Sequence, residues 1–175
     1  AIPSQFVSLS SRNKHAIAVD TEKARLYLFE NTTTGTRLLA NYYISVGKAG
    51  AGKTVEGAQR TPLGVYFITS NLDPKTLKDL YGSGALPINY PNVLDLRRGK
   101  TGGGIWLHGT PSSQFTRAPQ PTDGCVAVAN PDLERIIRTV EIRTTPVLIG
   151  KNLSWVRPDK LASQKKHVSE PLQTW

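Results

Sequence analysis

The chain has 175 residues, 38% of them hydrophobic and 20% charged, which suits one packed core and excludes both a disordered chain and two full domains. Its 22 Lys and Arg against 13 Asp and Glu leave a net charge of +9, which favours an anionic partner; no run of five or six basic residues and no interleaving of aromatic with basic residues points to nucleic acid. A single cysteine excludes an internal disulfide and any multi-cysteine metal site, and no apolar stretch approaches the roughly 18 residues of a membrane span.

The N-terminus lacks the basic and apolar regions of a signal peptide, and the chain begins Ala1-Ile2 with no methionine anywhere, so an upstream segment is expected to have been removed. From Ala16 to Gly47 the stretches AIAVD, ARLYLFE and RLLANYYISVG, separated by the turn-rich NTTTGT, read as a strand meander. Tyr42 and Tyr43 are adjacent, so in a strand they face opposite sides. Residues 47–64 are glycine-rich and read as a long loop, after which LGVYFIT resumes strand character. DPKTLKDLYG predicts a short helix, with Asp73 as N-cap, Pro74 at its first position, Gly82 as terminator and Leu77, Leu80 and Tyr81 on one face. Residues 83–104 read as irregular and lead into a short apolar strand, GIWLHGT. In that strand Trp106 reads as core or pocket wall. After a proline-rich loop, Cys125 heads another apolar run, with Asp123 before it as a turn residue. A second helix starts at Asn130-Pro131, where Leu133, Ile136, Ile137 and Val140 follow the i, i+3, i+4, i+7 spacing of a core-facing stripe. TPVLIG closes the series of strands. The expectation is a mainly β fold, a largely antiparallel sandwich or open barrel with two or three short helices.

GKAGAGKT, residues 47–54, satisfies the phosphate-loop pattern G-x-x-x-x-G-K-[ST] to the letter. That loop works only where a helix begins at its lysine and aims amides at the phosphates, and Gly57, Pro62 and Gly64 leave no room for one. Nucleotide binding is therefore set aside in favour of a glycine-rich surface loop.

The three histidines, His15, His108 and His167, lie far apart with no spacing suited to zinc, so no metal site is expected. His108 and Cys125 are a different matter. Each stands at the end of an apolar strand beside a glycine, and the loop between them is long enough to bring two strand ends together. A cysteine attacks a carbonyl as its thiolate, and a neighbouring imidazole takes the proton and later returns it to the leaving group. Gly124 lets the backbone turn tightly, so that amides of Gly124 and Cys125 face a developing oxyanion. From these two residues alone, a buried thiol with a structural histidine is an equally good reading.

The surrounding residues shift the balance. GIWLHGTP, seventeen positions from His108 to Cys125, TDGCVAVAN, and upstream VGK with TPLGVYFI together resemble the signature of the L,D-transpeptidase catalytic domain, the YkuD family, over about Ala16 to Gly150. The resemblance implies that family's β sandwich or open barrel, with residues 1–15 as an N-terminal extension, 16–150 as the catalytic domain and 151–175 as a C-terminal extension, a tail or the start of a further region. It implies Cys125 as nucleophile, His108 as base, the Gly109 carbonyl as the group that orients the imidazole, and Thr122 and Gly124 on the oxyanion side, with Thr110 beside them. Many members carry Arg two residues after the cysteine, where this chain has Ala127; Arg117 or Arg60 would substitute in holding substrate. The version without Arg looks more like branches that include L,D-carboxypeptidases.

The function so implied is peptidoglycan L,D-transpeptidation, part of cell-wall biogenesis and cell shape. Cys125 would attack the L-centre carbonyl of meso-diaminopimelate in a tetrapeptide stem, terminal D-Ala would leave, and an amine would take the acyl group. Water in place of the amine gives the alternative, an L,D-carboxypeptidase. Papain-like enzymes place Cys before His, the caspase signature is absent, and the TLxTC of sortases is lacking. A non-catalytic murein-binding module with Cys125 incidental is the rival from another class. The further expectations are no cofactor, peptidoglycan stem peptides as partners, neither nucleotide nor nucleic acid, a monomer, and a place in the periplasm or cell envelope. A lone thiol, with no internal partner for oxidation, fits that compartment.

Overall fold

The computed structural model describes residues 1–47, 52, 60–111 and 124–157. Along them the chain forms β1 (Ile2–Pro3), a 3-10 turn (Ser4–Ser8), β2 (His15–Asp20), β3 (Arg25–Thr32), β4 (Gly35–Ser45) and β5 (Gly64–Phe67). Two 3-10 turns follow (Pro74–Thr76 and Asp79–Tyr81), then β6 (Ala85–Pro87), α1 (Val93–Arg97), β7 (Trp106–His108), β8 (Val126–Val128), α2 (Asn130–Thr139), β9 (Pro146–Gly150) and β10 (Trp155–Val156). The mainly β class expected from the strand-and-turn pattern is the one observed.

Eight strands form one sheet in the order β5-β9-β2-β3-β4-β8-β7-β6. Its two edges approach each other: Thr69 N donates to the Pro87 carbonyl at 2.9 Å, Asn89 N to the Phe67 carbonyl at 3.2 Å, and Ile68 bridges Ile88. The sheet thus curls into an open barrel. Most neighbours are antiparallel, but β2–β9 and β7–β8 are parallel. The last strand predicted, β9, is not an edge; it is inserted between β5 and β2.

The two-residue alternation of strands decides which side chains share the core. From β2 Ile17 and Val19, from β3 Leu26 and Leu28, and from β4 Tyr42 and Ile44 point into one apolar cluster. Tyr43, one residue on, is exposed, with the Arg25 guanidinium 5.8 Å from its ring centre. The opposite face of β2 is equally dry. Ala16 and Ala18 join Phe29 and Leu148 in a second cluster, covered by Ile2, Phe6 and Leu153. Pairing of β1 with β10, Ile2 opposite Val156, ties the two covering segments together.

The second predicted helix is α2, and its stripe packs as the spacing demands, Leu133 and Ile136 fully buried and Ile137 and Val140 against the same cluster. The first differs. Asp73 does cap, its side chain accepting from Lys75 N, but the segment breaks at an extended Leu77 into two 3-10 turns. Neither turn contains a fully buried residue and Leu80 is 56% exposed, so little packing offsets the cost of nucleating an α-helix. Conversely, α1 lies where an irregular stretch was expected. An Asn92–Asp95 capping box starts it, and its buried residue is Asp95 while Val93, Leu94 and Leu96 are exposed, so no core-facing apolar stripe marks it in the sequence. Within the glycine-rich segment 47–64, residues 48–51 and 53–59, and with them most of GKAGAGKT, lie outside the described residues. Thr61, fully buried, ties back to the segment's first half: its hydroxyl accepts from Gly47 N and its carbonyl from Gly52 N, both at 2.8 Å. Among the described residues no helix is long and apolar enough to cross a membrane.

Candidate active site

Three short strands present the site. The register places Leu107 of β7 opposite Val126 of β8 and Leu86 of β6, all in the core, so the next row along faces away from it. That row runs Ser45, Ala127, His108, Ala85 across β4, β8, β7 and β6. His108 is therefore flanked by small side chains that leave room for its ring. Cys125 stands one residue before β8, on the same face as Ala127, and Trp106 N donates to its Sγ at 3.4 Å. The structure thus sets the histidine and the cysteine beside each other on two parallel strands, although 16 residues separate them in sequence.

The imidazole is held from one side. His108 is 7% exposed, and its Nδ1 donates to the Gly109 carbonyl at 2.6 Å, which assigns the proton to Nδ1 and leaves Nε2 as an acceptor. Burial pushes its pKa below the ordinary histidine value, because the imidazolium would lose hydration; the bond to Gly109 works the other way and is the smaller effect. A ring kept neutral near pH 7 with Nε2 unprotonated is the form a proton acceptor needs. Tyr81 packs edge-to-face on this ring at 5.1 Å and lies tilted against Trp106 at 5.0 Å, so the aromatic residues wall the histidine.

Cys125 is half-buried, and its thiol donates to the Gly104 carbonyl at 3.3 Å. Gly124 before it has φ +124°, where a side chain would be strained, and a Cβ there would meet the Arg60 carbonyl at 2.8 Å. Only glycine permits this approach, and the approach brings the exposed Arg60 to the cysteine's strand. Among the predicted site residues, His108, Gly109 and Thr110 lie at the C-terminal end of β7, and Gly124 and Cys125 lie at the N-terminal end of the neighbouring parallel β8, with the Arg60 carbonyl beside Gly124. Thr122 and Arg117, with the turn residue Asp123, lie outside the described residues. Thr110 is 4% exposed, and its hydroxyl has no hydrogen-bond partner among the described residues.

Two residues at the site were not singled out from sequence. Tyr81 supplies a ring against His108 and a carbonyl that accepts from Gly109 N at 2.9 Å. Asn130, read only as a helix start, bonds through its side chain to the backbone of Ser83 and Thr110. The helix-facing pattern that placed Tyr81 concealed the first, and nothing local marks the second. Among the described residues no group of three or more His, Cys, Asp or Glu side chains is placed to hold a metal ion.

Comparison with known proteins identifies the family and the fold. The family model of the L,D-transpeptidase catalytic domain, YkuD, matches residues 14–149. The structure of Bd1075 from Bdellovibrio bacteriovorus is 29% identical with a TM-score of 0.81, covering 99% of this chain and 62% of that one. A K307A mutant of Pgp2 from Campylobacter jejuni, described as a helical cell shape determining protein, is 28% identical with a TM-score of 0.73, covering 93% of this chain and 56% of that one. An L,D-transpeptidase from Mycobacterium smegmatis, 12% identical with a TM-score of 0.50 over 78% of this chain and 58% of its own, shares the fold. The chain therefore spans less than two thirds of each of these proteins. No curated protein sequence matches it. With the family model covering most of the chain, and with its strands and its His and Cys motifs in place, this chain belongs to the YkuD family of L,D-transpeptidase catalytic domains.

Proposed function

We propose that this protein is a cysteine-dependent L,D-transpeptidase of peptidoglycan, acting on tetrapeptide stems. Nε2 of His108 takes the thiol proton of Cys125, and the thiolate attacks the carbonyl at the L-centre of the diaminopimelate residue. The tetrahedral oxyanion faces the amides beside Gly124, where the glycine-only backbone brings the chain close. His108 then returns the proton to the leaving nitrogen: the peptide bond breaks, D-Ala departs as an amine, and a thioester to Cys125 remains. An acceptor amine attacks the thioester, the C–S bond breaks and the thiol regains its proton, which completes a crosslink.

The single observation that carries this reading is the 2.6 Å bond from His108 Nδ1 to the Gly109 carbonyl, which presents Nε2 as the base without an acidic residue. A second reading, L,D-carboxypeptidase activity by attack of water on the same thioester, draws support from position 127. There the buried Ala127 sits between Ser45 and His108 where many relatives have Arg, so this row offers no guanidinium. Action at the cell envelope and a part in cell shape follow from the same reading, and the description of Pgp2 supports the latter.

Mass spectrometry of disaccharide-tetrapeptide fragments incubated with the protein and with Cys125→Ala tests the proposal. Loss of alanine with appearance of dimers in the wild type alone is expected for the transpeptidase, and loss without dimers for the carboxypeptidase. Unchanged fragments in both samples would overturn both and leave a murein-binding module.

A further inference from the structure

We infer that Asn130 is the positioning residue for His108, acting through the peptide that joins Gly109 to Thr110; the inference rests on the reading of His108 as the base. The atom that orients the imidazole is the carbonyl oxygen of Gly109. That oxygen belongs to the same planar peptide as Thr110 N, and in a trans peptide the two point in opposite directions. Thr110 N donates to Asn130 Oδ1 at 3.0 Å. Holding one end of this rigid plate sets the direction of the other, so the carboxamide fixes where the imidazole's hydrogen bond can form.

The rest of the side chain makes the hold two-sided. Asn130 Nδ2 donates to the Thr110 carbonyl at 3.0 Å, and Oδ1 also accepts from Ser83 N at 2.9 Å. The turn around Ser83 is in turn tied to the adjoining His108–Gly109 peptide, since Gly109 N donates to the Tyr81 carbonyl at 2.9 Å and is shared with the Gly84 carbonyl at 3.2 Å. One carboxamide thus joins the first turn of α2, the histidine loop and the turn that carries Tyr81. Space for it exists because two neighbours lack side chains. A Cβ at either Gly82 or Gly109 would collide with Asn130 Oδ1, and Gly82 has φ +57° besides. The chemistry required is one acceptor and one donor on a short arm, which an amide has and a carboxylate lacks. Among the described residues the side-chain hydrogen bonds of Asn130 run to backbone groups, so its effect reaches the reaction through Gly109.

Cys125 is the sole thiol of the chain, so its alkylation by iodoacetamide reads the state of the pair without any substrate. The experiment compares the pH profile of that alkylation, with kcat and KM on tetrapeptide fragments, in wild type, His108→Ala, Asn130→Asp and Asn130→Ala. Asn130→Asp keeps Oδ1 but loses the donor to Thr110, and a drop in kcat of about tenfold with KM nearly unchanged is expected; Asn130→Ala releases the plate and should drop kcat about 100-fold. Both alkylation profiles should move toward that of His108→Ala. An Asn130 variant that merely melts earlier while its folded form keeps the wild-type profile and kcat would overturn the inference. Should the alanine variant fail to fold, Asn130→Asp and Asn130→Ser decide the matter on the same readouts. A His108→Ala profile identical to wild type would remove the base reading itself and this inference with it, whereas a changed His108→Ala profile beside wild-type Asn130 variants would sink the inference alone.

Discussion

His108 sits under two opposed influences, and their order fixes its pH behaviour. Burial disfavours the imidazolium more than the Gly109 carbonyl favours it, so the folded-state pKa lies below the ordinary value of 6.5. A base must be neutral to act, so kcat/KM should hold as pH falls to 6.5 and decline only below it, which a pH–rate profile of the free enzyme will check. The same sign governs stability. Because the unfolded chain takes up the proton first, the stability gained by keeping His108 neutral is complete above the ordinary histidine pKa and is lost as pH falls through the window below it. At this scale the motif residues were legible, since His-Gly-Thr and Gly-Cys are local strings. The need for glycine at position 124 was only half legible, because what makes it obligatory is the carbonyl of Arg60, a residue remote in sequence.

Among the elements, α2 connects packing to chemistry. Its stripe was readable because i, i+3, i+4, i+7 spacing is a property of the helix alone. Leu133 is fully buried in the main cluster, and Leu133→Ala should cost about 2–5 kcal/mol, seen as a lowered urea midpoint with an unchanged slope. Since Asn130 opens the same helix, the variant should also lose activity at temperatures where it remains folded. The 73–82 segment taught the opposite lesson. Its cap, proline and terminating glycine are all in place, yet Leu77 is extended and Leu80 exposed, because start and stop signals do not supply a surface to pack on. Instead its last turn delivers the Tyr81 ring to His108.

At the scale of the whole molecule, the sheet is dry on both faces along β2, and the outer cover comes from the two ends of the described chain. Phe6 packs edge-to-face on Phe29 at 5.2 Å, while Trp155 lies against Tyr27 and Phe29. Phe6→Ala should destabilise by about 3–5 kcal/mol, measured by thermal or urea unfolding, with kcat of the folded protein unchanged because this cluster packs on β2, β3 and β9 and not on the strands beside His108 and Cys125. The barrel's closure between the continuations of β5 and β6 is of the same global kind. It depends on bonds such as Thr69 to Pro87 that no local pattern announces.

What the sequence determined by itself was the succession of strands and turns, the helix at Asn130-Pro131, the division of Tyr42 from Tyr43 between core and surface, and the family to which the chain belongs. Each of these rests on periodicity or on a short string of residues, and both survive without knowledge of neighbours. The tertiary structure alone decided that β9 enters between β5 and β2, that β7 and β8 run parallel and so set His108 beside the cysteine's strand, and that Asn130 and Tyr81 hold the histidine loop. Those outcomes depend on closing long loops and on which backbone groups lie within hydrogen-bond reach after closure, and such proximity in space is not written in the order of residues.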